Sequence, residues 1–142
     1  MPYEYLDDIA ADIAFKAWHE KLEQTFMNAA EATMNVMVEE LDAIQPREHR
    51  EIRLENDALD MLLFDFLQEL IYYKDSESLL LRIRALRLEK ADGRYRLWAQ
   101  AGGEQLDPDR HYTRVDVKAV TLHRFALEQT ERGWEATVVL DI

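Results

Sequence analysis

Residues 134–142 alternate between two kinds of side chain up to the last residue of the sequence. Every second residue is apolar: Trp134, Ala136, Val138, Leu140 and Ile142. The residues between them are Glu135, Thr137, Val139 and Asp141. Strand side chains point alternately to the two faces of a sheet, so the pattern predicts a β-strand with one core face. If the strand pairs to its end, the α-carboxylate of Ile142 is held close to the Asp141 carboxylate. Two anions that close repel unless a cation joins them; the alternative is a frayed end with Asp141 as a solvated edge charge.

Two stretches have the three-and-four spacing of amphipathic helices. The first runs from Leu22 to Ile44 and is expected to end before Pro46, which cannot continue a helix. The second is expected to begin after a cap at Asn56 or Asp57, and its apolar stripe consists of Leu59, Leu62, Leu63, Phe66, Leu67, Leu70 and Ile71. These stripes predict two helices that each bury one face.

Strand patterns occupy most of the remaining chain. The predicted strands are a first strand within 3–18, a short edge strand at 51–55, hairpin strands at 78–90 and 94–101, and a second hairpin of 117–127 with 134–142. A bulge is expected near Ala85, and Gly102-Gly103 is expected to break regularity. The prediction is one α+β domain over 1–142, two-layer, with both helices on one face of a mostly antiparallel sheet of five or six strands. The other sheet face is expected to be polar.

Composition excludes several classes of protein. The formal net charge of −12 argues against autonomous binding to nucleic acid or to an anionic membrane. There is no cysteine, so disulfides, thiolate zinc sites and a cysteine nucleophile are excluded. The sequence has no Gly-rich phosphate loop, H-E-x-x-H motif or nucleophile elbow. Acidic residues near the beginning and the lack of a membrane-length apolar run lead us to expect a cytoplasmic protein.

A few side chains are candidates for chemistry. Asp12, with Asp8 four residues earlier, would lie near Asp141 on the polar face if the first and last strands pair. Carboxylate oxygens alone would favour Ca²⁺ or Mg²⁺, although a chance pair of acidic residues is an open alternative. His123 is a candidate ligand or base, or simply a hydrogen-bonded strand residue, and Lys118 has the opposite parity unless a bulge intervenes.

Five arginines make the central hairpin locally basic: Arg82, Arg84, Arg87, Arg94 and Arg96. They could meet RNA phosphates or an acidic partner surface. They could equally pair with Glu and Asp side chains of neighbouring elements.

Four segments together resemble the archease family. They are Asp8-Ile-Ala-Ala-Asp-Ile-Ala-Phe15, Phe66-Leu-Gln-Glu-Leu-Ile71, Val117-Lys-Ala-Val-Thr-Leu-His123 and Leu140-Asp-Ile142. The resemblance implies a protein cofactor of RtcB-type RNA ligases, which promotes guanylylation of the ligase's active-site histidine and its turnover in tRNA splicing. It implies an activator and not an enzyme, with tRNA met only through the ligase and no membrane partner.

The resemblance also implies a site. The family's divalent-cation site falls on Asp12, Asp141 and the terminal Ile142, and the family's functional lysine falls on Lys118. The sequence departs from the family at Ile9-Ala10, where a threonine is common, which removes a hydrogen bond that could orient a ligand. Two alternatives stay open: a metal-dependent phosphoester hydrolase using Asp12 and Asp141, and a purely structural partner without a metal.

Overall fold

A computed structural model of the chain describes residues 2–6 and 12–142. Its helices are α1 (Leu22–Met37) and α2 (Leu59–Glu77), with a short 3₁₀ turn at Leu41–Ala43. Its strands are β1 (Tyr3–Leu6), β2 (Asp12–His19), β3 (Glu48–Asn56), β4 (Leu79–Ala91), β5 (Arg94–Gln105), β6 (Ala119–Thr130) and β7 (Gly133–Asp141). No helix in the described part of the chain is long and apolar enough to cross a membrane.

The α+β class with antiparallel strands is confirmed, but the strands are divided differently from the prediction. The described residues form a four-stranded sheet of order β1-β2-β7-β6 and a three-stranded sheet of order β3-β5-β4. The expectation of one sheet with five or six strands was therefore wrong in number and division. Alternation identifies a strand and its faces, but it carries no information on which sheet the strand joins. The predicted first strand is also two strands, because β1 folds back antiparallel onto β2.

Both helices pack against both sheets. Helix α1 lies against β2 and β4, whereas α2 lies against β3, β4 and β6. Only Glu23 of α1 is exposed, as expected for a helix covered on more than one side. The two helices meet through Phe26 and Phe66, whose ring centroids are 6.0 Å apart. The hydrophobic core therefore lies around the helix pair.

Helix α1 ends at Met37, earlier than the apolar spacing predicted. Val38 is extended and forms an isolated antiparallel bridge with Thr113, which takes the chain out of the helix before Pro46 is reached. Helix α2 follows the prediction, although its N-cap is Ala58; Asn56 instead accepts a hydrogen bond from the Ala58 amide at 3.0 Å. Tertiary pairing overrode the local pattern at the end of α1.

The hairpin at Asp92-Gly93 and a register irregularity between Ile83 and Ala85 are both present. Gly102 and Gly103, however, lie inside β5 and do not break it. A Cβ at Gly103 would overlap the carbonyl oxygen of Leu80 on β4, so the glycine permits a close approach of two strands. The other sheet face was expected to be polar, but on that face of the four-stranded sheet Val139 is buried, with 1% exposure.

Candidate metal centre

Asp12 and Asp141 lie opposite each other at one end of the four-stranded sheet. They are directly paired in the β2–β7 register, and Ala119 of β6 is paired with Asp141 on its other side. Directly opposed residues project from the same face, with Cβ atoms typically about 4.5–5.5 Å apart. Asp141 is exposed and Asp12 is partly exposed. The predicted juxtaposition of the two carboxylates is therefore present, on the face that does not meet the helices.

The apolar residues of both strands fix this pairing. Ile13 is opposite Leu140 and Phe15 is opposite Val138, and Phe15, Val138 and Leu140 are completely buried. A slip of one residue would move every one of these side chains to the outer face. The core thus holds Asp12 in register with Asp141.

Lys118 and Ile142 adjoin the pair. The amide of Lys118 donates a hydrogen bond to the carbonyl oxygen of Asp141 at 2.8 Å, while the lysine side chain is exposed. Ile142 is partly buried and packs against the core. The structure therefore brings three of the predicted site residues and the predicted functional lysine to one end of the sheet.

The carboxylate pair has the chemistry of an oxygen site for a hard cation. Neither the Asp12 nor the Asp141 carboxylate has a hydrogen-bonding or ion-pairing partner among the described residues, so both retain acceptor capacity. Two opposed carboxylates fit Ca²⁺ or Mg²⁺, which take oxygen ligands and commonly complete their coordination with carbonyls and water. Within residues 2–6 and 12–142, no group of three His, Asp or Glu side chains is placed to hold a metal ion. Asp8, the other predicted candidate, lies outside the described residues.

His123 is not brought to the carboxylate pair by strand pairing. It is exposed and lies between Thr121 and Ala126, where the register of β6 against β7 is interrupted. A bulge was the condition under which Lys118 and His123 could share a strand face. The structure has a bulge in β6, but it lies beyond Thr121. No residue of β7 is paired with His123, so its predicted role as a ligand gains no support from the register.

A buried charged cluster around Glu104 was missed by sequence reasoning. Glu104 is 3% exposed and forms ion pairs with Arg110 and with Arg47, the latter at 3.0 Å. His111, 1% exposed, lies 2.7 Å from the Glu104 carboxylate through Nε2 and accepts a hydrogen bond from the Asp107 amide at Nδ1. Since Nδ1 is the acceptor, Nε2 carries the hydrogen and donates a hydrogen bond to the Glu104 carboxylate.

The cluster controls the protonation of Glu104. Burial alone would raise the pKa of this carboxyl, but hydrogen bonds from Arg110, the Gln45 backbone and His111 outweigh burial and lower the pKa to about 2. These contacts tie the loop after β5 to the sheet. The sequence offered no signal for them, because His111 and Glu104 share no spacing motif and the glycines beside Glu104 suggested a break.

The basic stripe is largely neutralised within the molecule. The pairs are Arg82 with Glu31 and Asp42, Arg94 with Glu55 and Asp57, and Arg96 with Glu55 and Glu89. Arg87 stacks on the Trp98 ring, 5.0 Å from its centroid. Internal pairing, which was one of the two predicted uses of these arginines, is therefore present for Arg82, Arg94 and Arg96.

Comparison with known proteins gives matches over nearly the full chain. A family model described as the archease protein family matches residues 3–142. Protein archease of Pyrococcus abyssi is 37% identical over 133 residues, which is 93% of each chain. Protein archease of Methanosarcina mazei is 37% identical over 141 residues, covering 99% of this chain and 95% of that protein.

Two solved structures are also similar. The solution structure of Methanobacterium thermoautotrophicum protein 1598 has a TM-score of 0.86 and 29% identity and covers 99% of both chains. The crystal structure of a protein from Thermotoga maritima, described as an archease and possible chaperone, has a TM-score of 0.57 and 17% identity, with 96% of this chain and 95% of that one covered. At that identity the second likeness concerns the fold alone.

Proposed function

The chain belongs to the archease family, and on that premise we propose that it is a metal-binding protein cofactor of an RtcB-type RNA ligase. In this role it promotes guanylylation of the ligase histidine and repeated turnover during tRNA splicing, and it performs no catalysis itself. The observation that carries the proposal is the opposition of Asp12 and Asp141 in the β2–β7 register, with both carboxylates unpartnered among the described residues. Two unneutralised anions at fixed spacing are stabilised by a cation that joins them.

The proposed cation is Ca²⁺ or Mg²⁺, held by the carboxylates of Asp12 and Asp141 and the α-carboxylate of Ile142. When bound, it would supply positive charge at the end of the sheet. The protein's own residues hold this geometry, because the buried partners Phe15 and Val138 set the strand register. Lys118 would add an exposed ammonium beside the site for contact with the ligase.

The ligase is the proposed partner, and tRNA is met only through it. A chain with net charge −12 lacks the clustered cations that bind a phosphate backbone, and most of its basic stripe is paired internally. We place this activity in the cytoplasm, as the sequence led us to expect.

The proposal is tested by measuring guanylylation of a purified RtcB-type ligase at limiting ligase, with and without this protein. The expected result is a higher initial rate and more than one turnover per ligase when the protein and Ca²⁺ or Mg²⁺ are present. An unchanged rate and a single turnover would contradict the proposal.

The alternative hydrolase would use the same two carboxylates to activate water. Incubation of the protein alone with GTP and with RNA separates the two functions. Hydrolysis that depends on Asp12 would favour the hydrolase, whereas stable substrates together with a stimulated ligase favour the activator.

A further inference from the structure

Strand β6 carries a protrusion beside the carboxylate pair. Thr121 is paired with Val139, and the next paired residue of β6, Ala126, is opposite Thr137. Residues 122–125 therefore lie opposite a single residue of the neighbouring strand, Val138. Those that have no partner on β7 must bulge out of the sheet. Bulges of this kind are frequent at sheet edges and next to functional sites, where they re-aim side chains. Strand β6 is an edge strand of its sheet.

The protrusion is anchored at both ends. The Thr121 hydroxyl donates to the carbonyl oxygen of Val139 at 3.0 Å. Phe125 packs edge-on against Phe64 of α2, with ring centroids 5.6 Å apart. Just before the protrusion, the Gln68 side chain of α2 accepts a hydrogen bond from the Val120 amide and covers the strand edge. The segment is thus held at its ends while residues 122–124 face outward.

The backbone of the protrusion is strained. Arg124 has φ of 55°, a left-handed conformation that is costly for a residue with a side chain. Such conformations persist where surrounding structure imposes them, and they concentrate at functional sites. The strain therefore points to a role for this shape.

Leu122 is the apolar residue that the protrusion exposes. It is 62% exposed and lies three residues beyond Ala119, the partner of Asp141, so it is roughly 10 Å from the carboxylate pair along the strand. A single exposed leucine is unremarkable on most surfaces. Here it stands on an anchored, strained protrusion beside the proposed site, with exposed Lys118 and His123 near it.

We propose that residues 122–124 are the element that docks on the RNA ligase, with Leu122 inserted into an apolar pocket of that enzyme. This inference rests on the proposed function, and it names the surface through which that function acts. The exposed ammonium of Lys118 matches a pocket with an acidic rim. The net charge of −12 disfavours docking on a phosphate backbone, so the partner is a protein. A ligase seated on Leu122 would also cover Asp12 and Asp141, which joins docking to activation.

The test measures binding of the purified ligase to the intact protein and to Leu122→Ser by calorimetry. Central apolar anchors of interfaces typically cost about thirtyfold or more in affinity when truncated, and a loss of that size is expected here. Tyr112→Ser is the matched control, because Tyr112 is 68% exposed but lies outside β6. It should bind the ligase as the unaltered protein does. Thermal melting and Ca²⁺ titration should be unchanged in both variants.

Each outcome has a separate meaning. Equal ligase affinity for Leu122→Ser and the unaltered protein would overturn the docking inference and leave the proposed function intact. A self-associating protein that becomes monomeric in Leu122→Ser, while ligase affinity is unchanged, would overturn it in favour of a second copy. No binding of the ligase by the unaltered protein would defeat the proposed function, and the docking inference with it.

Discussion

Asp12 and Asp141 are direct cross-strand partners, although they are near opposite ends of the sequence. Because the two carboxylates face each other, we predict that both are needed for cation binding. Asp141→Asn keeps the shape of the side chain and removes its charge, so calorimetric titration of Ca²⁺ should show affinity lowered by at least about tenfold. Glu23→Gln, an exposed change of the same charge on α1, should bind as before. Equal affinities in the two variants would remove Asp141 from the site.

A second prediction concerns Ile142. Appending residues after Ile142 converts its α-carboxylate to an amide and removes one proposed oxygen anion from the site. Ca²⁺ affinity and ligase stimulation should both fall. The same tag placed before Met1 controls for bulk and should leave Ca²⁺ affinity unchanged. Identical titration curves for the two tagged forms would show that the α-carboxylate is not a ligand.

Phe66 tests the core around the helix pair. Its side chain is completely buried and meets Phe26, so Phe66→Ala should lower the free energy of unfolding by roughly 3–5 kcal/mol. Leu63→Ala, at another fully buried position of α2, should cost roughly 2–5 kcal/mol. Tyr72→Ala, on the same helix but 58% exposed, should stay within about 0.5 kcal/mol in urea denaturation. A denaturation midpoint unchanged by Phe66→Ala would contradict this assignment of the buried face.

The buried carboxylate of Glu104 predicts a dependence of stability on acid. Because its pKa is lowered to about 2 in the folded protein, the carboxylate stabilises the fold above the usual glutamate pKa. That contribution should be lost as pH falls from about 4.5 towards 2. Glu104→Gln should unfold more easily at pH 7, by about 3 kcal/mol, and should lose less stability across this window.

Glu51 provides the control for Glu104. Its carboxylate pairs with Arg53 on an exposed strand surface, where ion pairs contribute little to the free energy of unfolding. Urea denaturation of Glu51→Gln at pH 7 should therefore resemble that of the unaltered protein. A Glu104→Gln variant as stable as Glu51→Gln would show that the buried cluster contributes little.

Local patterns predicted most elements and the faces of the strands that carry the site. The alternation of Leu140 and Asp141 predicted that the aspartate points away from the core, and the structure agrees. The strand register is fixed because a slip of one residue would expose the buried face. The early end of α1 and the division into two sheets depend on pairings between distant residues, such as Val38 with Thr113. No local pattern contains those pairings.

The parts of the surface that sequence reasoning missed have a common cause. The sequence around Glu104 indicates a solvent-exposed acid beside two glycines. In the structure Glu104 is buried because Arg110 and His111 fold back over it. The alternation of residues 122–125 indicates a continuous strand, but in the structure these four residues lie opposite Val138 alone. In both cases the outcome depends on the length and path of a second segment, which the alternation of the first does not encode.

Ligase stimulation by Asp12→Asn tests the central claim most directly. This variant removes one charge from the pair while Phe15 and Val138 still hold the strand register, so the fold should melt as before. The measurement is the initial rate of ligase guanylylation at limiting ligase with saturating Ca²⁺ or Mg²⁺. We predict that Asp12→Asn lowers the rate to that of the ligase alone, whereas Glu23→Gln stimulates fully. Full stimulation by a folded Asp12→Asn variant would contradict the claim that activation works through the carboxylate pair.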